Sequence, residues 1–237
     1  MSRRRVNSLF GFYQSSIGKK WVVAITGLVL IGYVIGHLIG NLQIFGPPEK
    51  INGYAAFLHS LGALLWVVRI GLLVCFVLHI VTTIKLVLEN RAARPEPYVR
   101  KATVQARLAA RTMALSGLIV LAFVVYHLLH FTVRNTDPRF KSIEHGGLLR
   151  GEYDVHTMVI LGFQHPLVSA VYLLSVFLLC LHLSHGFSSL LQTFGLNSKG
   201  LMAGITRWGT VLAWLIFAGY AAIPVAVLAG LLKVQQP

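Results

Sequence analysis

Long apolar segments alternate with short polar ones along almost the whole chain. A transmembrane helix needs about 20 mostly apolar residues, and five segments have that length, at about 21–45, 61–88, 112–133, 166–194 and 206–232. Turn-forming runs such as Gly46-Pro47-Pro48 and Asp137-Pro138 separate them. The pattern predicts an all-α integral membrane protein with five transmembrane helices, in which residues 1–237 form a single membrane domain.

The composition agrees with a membrane protein and excludes other classes. Hydrophobic residues make up 56% of the 237 residues and charged residues 12%, about half the charged share of an average soluble domain. Disorder is excluded because disordered segments lack the aliphatic and aromatic residues that are abundant here. The two cysteines, Cys75 and Cys180, lie inside apolar runs. They indicate buried thiols, not a disulfide, a zinc site or a covalent haem attachment.

The basic residues predict the orientation of the chain in the membrane. Fourteen lysines and arginines flank the apolar segments on the side of the N-terminus, and six lie on the opposite side. Cytoplasmic segments are enriched in positive residues, so we expect the N-terminus in the cytoplasm and the chain in a bacterial cytoplasmic (inner) membrane. Much of the formal net charge of +14 is then a topology signal and does not indicate nucleic-acid binding.

Six of the ten histidines fall within the first four apolar segments, where ionisable residues are rare and usually functional. At a rise of about 1.5 Å per residue, His37 and His127 both lie about 24 Å from the cytoplasmic end of their helices. His79 lies about 9 Å from that side, His182 about 13 Å and His185 about 9 Å. Four antiparallel helices thus supply an outer pair of histidines and an inner pair. For the inner pair, spacing alone leaves His182 and His185 as alternatives.

Two imidazoles that face each other across a helix bundle are typical axial ligands of haem b. Small residues leave room for a macrocycle along the first helix, at Gly27, Gly32, Gly36 and Gly40. Close helix packing explains each of these glycines equally well. An interhelical hydrogen bond explains a single membrane histidine equally well, and the alternative role for His130 and His185 is a hydrogen bond to a haem propionate or to backbone. A zinc or copper site needs more ligands at one level. We therefore expect two non-covalent b haems in the bundle of the first four helices.

Five short motifs follow one another along the chain. They are Gly36-His37-Leu38-Ile39-Gly40-Asn41, residues 51–58, residues 69–79, Tyr126-His127 and residues 181–186. Each is weak alone, but in this order and spacing they resemble the cytochrome b558 subunit of succinate dehydrogenases. That subunit is a dihaem, single-polypeptide membrane anchor, which fumarate reductases also use. The resemblance extends from about Ser15 into the fifth helix.

The resemblance implies a haem ligand at each of four histidines. His37 matches the ligand of the first helix, and His79 matches the ligand late in the second. His127 matches the ligand that follows an aromatic residue in the third helix, and His182, in preference to His185, matches the one in the fourth. The implied axial ligands of the haem irons are His37 with His127 and His79 with His182, the pairs that the helix depths also indicate.

The resemblance also implies a function in electron transfer. The sequence has no flavin or dinucleotide fingerprint and no cysteine set for iron–sulfur clusters, so we expect no catalytic residues and no succinate oxidation by the isolated chain. Electrons would pass from an iron–sulfur subunit through the inner and then the outer haem to quinone, menaquinone in preference to ubiquinone. The implied partners are flavoprotein and iron–sulfur subunits on the cytoplasmic face. The basic runs at 3–5 and 91–111 are candidates for docking them or for contacting lipid headgroups.

Two further residues are candidates for contacts near the outer haem. Arg69 lies within the second helix, and either a haem propionate or the outer membrane surface would satisfy its charge. His59 precedes that helix and is a candidate for a quinone contact or a proton relay, with an ordinary interfacial histidine as the alternative. We expect quinone at the outer level, although Thr82 and Thr83 leave an inner site open.

Two other classes of protein share some of these features. A cytochrome b anchor of a hydrogenase or formate dehydrogenase would have intramembrane histidines but a different catalytic partner. A non-redox transporter would use such histidines for proton relay, and it usually has inverted repeats, which this sequence lacks.

Overall fold

The computed structural model describes residues 8–93 and 112–234, and most of this part of the chain is helical. The helices are α1 (Ser8–Gln14), α2 (Ser16–Asn41), α3 (Pro48–Ser60), α4 (Ala63–Ala92), α5 (Met113–His127), α6 (Val155–Phe163), α7 (Pro166–Thr193) and α8 (Lys199–Leu228). Across these two ranges no strand forms beyond one isolated bridge between Ser142 and Leu149. The predicted all-α class is confirmed. The basic runs at 3–5 and 94–111 lie outside the described residues.

Five helical segments are long and apolar enough to cross a membrane, as the sequence predicted. α2 continues through a 3-10 turn, Leu42–Phe45, and α5 continues through a π-helical turn, Leu128–Thr132. The five segments are Ser16–Phe45, Ala63–Ala92, Met113–Thr132, Pro166–Thr193 and Gly200–Leu228. The chain therefore has the helices of a multi-pass membrane protein.

The ends of these helices differ by several residues from those that hydropathy predicts. α2 begins at Ser16 and not near residue 21, because the Ser15 hydroxyl accepts a hydrogen bond from the amide of Gly18 (2.9 Å) and caps the first turn. α8 begins at Lys199 and not near residue 206. It ends at Leu228, and Gly230, with a φ of 71°, then turns the chain away. Hydropathy finds the apolar part of a helix and misses its polar first turn.

Three shorter helices, α1, α3 and α6, were not expected from the sequence. α3 starts with a proline at its first position, where the missing amide proton is not needed. α6 starts after Asp154, whose side chain accepts a hydrogen bond from the amide of Thr157 (3.2 Å). α6 is almost wholly buried, and its Ile160 packs with Ile44 in the largest apolar cluster among the described residues. α3 and α6 pack together at the end of the bundle where α2 ends, whereas α1 contacts α2 at the opposite end.

The spanning helices form two antiparallel pairs, α2 with α4 and α5 with α7. In the first pair the ammonium group of Lys19 contacts the carboxylate of Glu89 at 2.8 Å. α2 also packs against α7, and α8 packs along α7, so the pairs belong to one bundle. α4 packs mainly on α2, and no residue of its most apolar window is buried. Near its end α4 also contacts α1, where the Tyr13 hydroxyl lies 3.4 Å from that of Thr82.

Candidate haem-binding site

His37 on α2 and His127 on α5 face each other across the bundle. Their ring centroids are 5.9 Å apart, and the ring planes are inclined at 82°. Bonds between a metal ion and an imidazole nitrogen are about 2 Å long. Two imidazoles on opposite sides of one ion therefore have centroids about 6 Å apart. The separation of these two rings matches that of two axial ligands.

Aromatic side chains surround the His37–His127 pair. Tyr33 stacks on the His37 ring with a centroid distance of 5.4 Å and an interplanar angle of 13°. Tyr220 lies 6.3 Å from the same ring, and its hydroxyl donates a hydrogen bond to the Val34 carbonyl (2.8 Å). Large aromatic groups exclude water and restrict the orientation of the rings that they contact. The pair therefore lies in an apolar, ordered environment.

His79 on α4 packs against two small residues of α2. Its Nδ1 lies 3.2 Å from the hydroxyl oxygen of Thr26, a residue that is only 6% exposed. A Cβ atom at Gly27 would lie 3.3 Å from Cε1 of the His79 ring. That is closer than an ordinary van der Waals contact, so the ring needs a glycine at this position. The Thr26-Gly27 dipeptide thus contacts one edge of the imidazole.

His182 on α7 has the same kind of environment on α5. Its Nδ1 lies 3.3 Å from the hydroxyl oxygen of Ser116, which is 1% exposed. A Cβ atom at Gly117 would lie 3.3 Å from Cε1 of the His182 ring. A hydroxyl-bearing residue followed by glycine therefore contacts a histidine on the antiparallel neighbour in both helix pairs.

The hydroxyl groups determine which ring nitrogen carries the proton. A hydroxyl has one proton to donate, and Thr26 and Ser116 each donate it to a backbone carbonyl of their own helix, at 2.7 Å and 3.1 Å. The hydroxyl oxygen then accepts a hydrogen bond from Nδ1–H of His79 or of His182. A neutral imidazole protonated on Nδ1 has a free lone pair on Nε2. These contacts favour, for both rings, the tautomer in which Nε2 is free to bind a metal ion.

The histidines lie at two levels of the bundle with a common spacing. Ten residues separate Gly27 from His37 on α2, and ten separate Gly117 from His127 on α5. In a helix this spacing corresponds to about 15 Å. His79 and His182 lie at the glycine level, close enough for an electrostatic interaction between their rings. The structure brings the rings of His37 and His127 together and places His79 and His182 within electrostatic range of each other, while the role of all four as haem ligands stays a prediction.

The residues around the two pairs agree with b haem better than with a polynuclear or zinc site. Cβ atoms added at Gly32, Gly36 and Gly71 would meet nothing within 4 Å, so close helix packing does not explain these glycines. Nowhere in residues 8–93 and 112–234 do three or more His, Cys, Asp or Glu side chains cluster in a way that suits a metal ion. Gly36 directly precedes His37, so there is space beside one ring of the first pair, as a planar macrocycle requires.

His130 and His185, the second histidine of each motif, have different surroundings. His130 is 2% exposed, and its Nδ1 lies 2.9 Å from the hydroxyl of Tyr172. His185 is half-buried and interacts electrostatically with His182. The contacts with Ser116 and Gly117 are made by His182, which favours His182 over His185 as the partner of the opposite ring.

Arg69 and His59 lie apart from each other on the surface of the chain. Arg69 is exposed, its guanidinium lies 5.2 Å from the centre of the Trp66 ring, and it interacts electrostatically with Tyr33. Tyr33 stacks on His37, so Arg69 belongs to the level of the His37–His127 pair. His59 is exposed near the end of α3, with its ring 4.8 Å from that of Tyr153. The position of His59 alone does not indicate a ligand.

A polar cleft of about 510 Å³ lies between α3 and the start of α6, and the sequence analysis did not predict it. Its lining includes the carboxylates of Glu49, Glu152 and Asp154 and the buried His156. Burial lowers the pKa of His156, while Asp154 and Glu49 act in the opposite direction. The His156 imidazole is therefore neutral at pH 7.

Sequence reasoning also missed the hydroxyl groups beside the inner histidines. The sequence contains two dipeptides of the same type, Thr26-Gly27 and Ser116-Gly117. In each, the glycine lies ten positions before an intramembrane histidine. Serine and threonine in membrane helices commonly bond a carbonyl of their own helix, so neither residue stands out until the neighbouring helix is in position.

Comparison with known proteins adds no relative to this picture. No family model, no curated protein and no solved structure matches the chain.

Proposed function

We propose that this chain is a dihaem cytochrome b membrane anchor of a succinate:quinone oxidoreductase, and that it carries electrons from an iron–sulfur subunit to membrane quinone. The observation that carries the proposal is the arrangement of the histidines. The rings of His37 and His127 lie 5.9 Å apart and would hold one haem iron between them, and the hydrogen bonds of His79 and His182 favour a free Nε2 on each ring. The resemblance of the histidine motifs to the cytochrome b558 subunit supports the same function.

The His37–His127 pair and the His79–His182 pair would each hold one b haem. Bound haem supplies a one-electron redox centre whose potential depends on the axial ligands and on the groups that bond them. The hydroxyl groups beside the second pair fix the ring tautomer and orientation, as partners of metal-binding histidines commonly do. The aromatic side chains beside the first pair exclude water from it.

Arg69 is the residue we propose as a contact for a propionate of the haem at the His37–His127 level. An arginine within an apolar helix needs an anionic partner, and a guanidinium binds a carboxylate with two parallel hydrogen bonds. Arg69 interacts electrostatically with Tyr33, which stacks on His37. This link to the first pair supports the assignment.

The orientation of the chain follows from its basic residues. We propose that the N-terminus is cytoplasmic in a bacterial inner membrane and that flavoprotein and iron–sulfur subunits dock on that face. Quinone, menaquinone in preference to ubiquinone, reacts near the His37–His127 level, with His59 as a candidate contact. Electrons then move outward, and the membrane potential assists them by about 2.3 kcal/mol per charge per 100 mV. This assistance matters because menaquinone is a weak oxidant of succinate.

The experiment that tests the proposal is purification of the complex from its native membrane, with identification of its subunits and a reduced-minus-oxidised spectrum. We expect a flavoprotein, an iron–sulfur protein and a b-type spectrum that succinate generates. A nickel or molybdenum subunit would assign the chain to a hydrogenase or formate dehydrogenase instead. Absence of haem absorbance from a folded complex would favour a transporter.

A further inference from the structure

Tyr172 on α7 connects two histidines, one in α5 and one in the π-helical turn that follows. Its hydroxyl oxygen lies 2.9 Å from Nδ1 of His130 and 3.4 Å from Nδ1 of His127. Tyr172 is 5% exposed and His130 is 2% exposed, so water does not compete for these groups. The three side chains form one buried hydrogen-bond chain that ends at the His37–His127 pair.

The surrounding residues hold this chain in a fixed geometry. The ring of Tyr172 has edge-to-face contacts with Phe123 and Phe163, each with a centroid distance of 5.0 Å. His130 lies in the π-helical turn Leu128–Thr132, directly after His127. Such turns are rare and occur frequently at functional sites. The turn sets the direction of His130 relative to His127, and both rings reach the same hydroxyl.

Counting donors leaves two possible directions for the hydrogen bonds. The Tyr172 hydroxyl has one proton, and it donates this proton either to His130 or to His127. If Tyr172 donates to His127, that ring carries its own proton on Nε2 and has no lone pair there for a metal ion. If Tyr172 donates to His130, its oxygen accepts Nδ1–H of His127, and Nε2 of His127 is free. Only the second direction agrees with metal binding.

We propose that Tyr172 is the positioning residue of the His127 haem ligand and that His130 fixes the direction of the Tyr172 hydroxyl. The inference rests on the proposed haem function and adds a specific role for two residues. A hydrogen bond donated from Nδ1 makes the imidazole a more basic ligand and stabilises the oxidised haem. Donation from Tyr172 to His130 makes the Tyr172 oxygen a better acceptor, because hydrogen bonds in a chain strengthen one another.

The test is a redox titration of the purified complex that carries Tyr172→Phe or His130→Leu, with EPR spectra of the oxidised haems. We expect the haem at His37–His127 to become easier to reduce. Its ratio of reduced to oxidised form at a fixed potential should rise roughly three- to tenfold, the range for one hydrogen bond. The double variant should equal Tyr172→Phe alone, because both changes break the same chain. The haem at His79–His182 is the internal reference and should not shift.

Tyr126→Phe is the matched control, because Tyr126 lies beside the same rings, with its centroid 5.9 Å from that of Tyr172. It should leave both potentials unchanged. Selective loss of the haem at His37–His127 from Tyr172→Phe would also support positioning. If that variant does not fold, His130→Leu decides alone. Retained haems with wild-type potentials and EPR signals would overturn the inference, whereas a wild-type complex without haem would contradict the proposed function instead.

Discussion

Replacing Thr26 by valine removes one hydroxyl from α2 with almost no change in side-chain volume. That hydroxyl lies 3.2 Å from Nδ1 of His79 and 2.7 Å from a carbonyl of its own helix. Valine would remove the hydroxyl acceptor beside Nδ1 of His79, at a position where Thr26 is 6% exposed, and leave the ring its hydrogen bond to the Val23 backbone. The ring then loses one of the two hydrogen bonds that hold its orientation.

The expected magnitude follows from the energy of one buried hydrogen bond. Losing one of two hydrogen bonds costs about 0.5–1.5 kcal/mol, and each 1.4 kcal/mol is a factor of about ten in an equilibrium constant. Haem retention at His79–His182 should therefore fall roughly two- to tenfold. Changes in the partners of metal-bound histidines typically weaken metal affinity by about 10- to 100-fold, and we expect the lower end of that range because the Val23 hydrogen bond remains.

The assay is haem quantitation by pyridine haemochrome on the purified complex, with a reduced-minus-oxidised spectrum to identify the haem that is lost. Thr26→Ser keeps the hydroxyl and should retain both haems. Thr83→Val is the matched control, because the Thr83 hydroxyl bonds the backbone carbonyl of His79 (2.6 Å) and not its ring. If Thr26→Val retained both haems as tightly as the wild type, the reasoning about the Nδ1 hydrogen bond would be refuted.

Three further changes have expected outcomes. Gly117→Leu should remove the haem at His182 while preserving the fold, because a Cβ there already lies 3.3 Å from the ring; two haems in this variant would contradict the assignment. Glu89→Gln should destabilise the complex by about 1–2 kcal/mol in thermal unfolding, because Lys19 is 3% exposed and loses its counter-charge, although the half-exposed Glu89 limits the effect. An unchanged melting temperature would refute this. His59→Ala should weaken the binding of a quinone-analogue inhibitor that perturbs the outer haem; an inhibitor that shifts only the other haem would move the site to the cytoplasmic side.

The sequence predicted the parts of the fold that hydropathy determines. Five apolar runs became five helices long enough to span a membrane. The rise per residue put His37 and His127 at one level, and their rings lie 5.9 Å apart in the structure. Depth along a helix depends only on the position in the chain, so one sequence is enough to compare the depths of two residues.

Features that depend on the rotation of neighbouring helices were beyond sequence reasoning. The depth of a residue along its helix left His182 and His185 as alternative partners of His79. The contacts of His182 with Ser116 and Gly117 appear only once α5 and α7 are packed together. α6 was missed because its short apolar run lies in a polar connection, and its start depends on the cap at Asp154. The sequence does not distinguish Tyr172 from an ordinary aromatic residue of the core.

Haem stoichiometry tests the central claim most directly. A pyridine haemochrome assay with protein quantitation on the wild-type complex should give two non-covalent b haems for each copy of this chain, because the bundle has two histidine pairs at two levels. A value of one haem per chain would leave one pair without its proposed role. A folded complex with no haem would contradict the account.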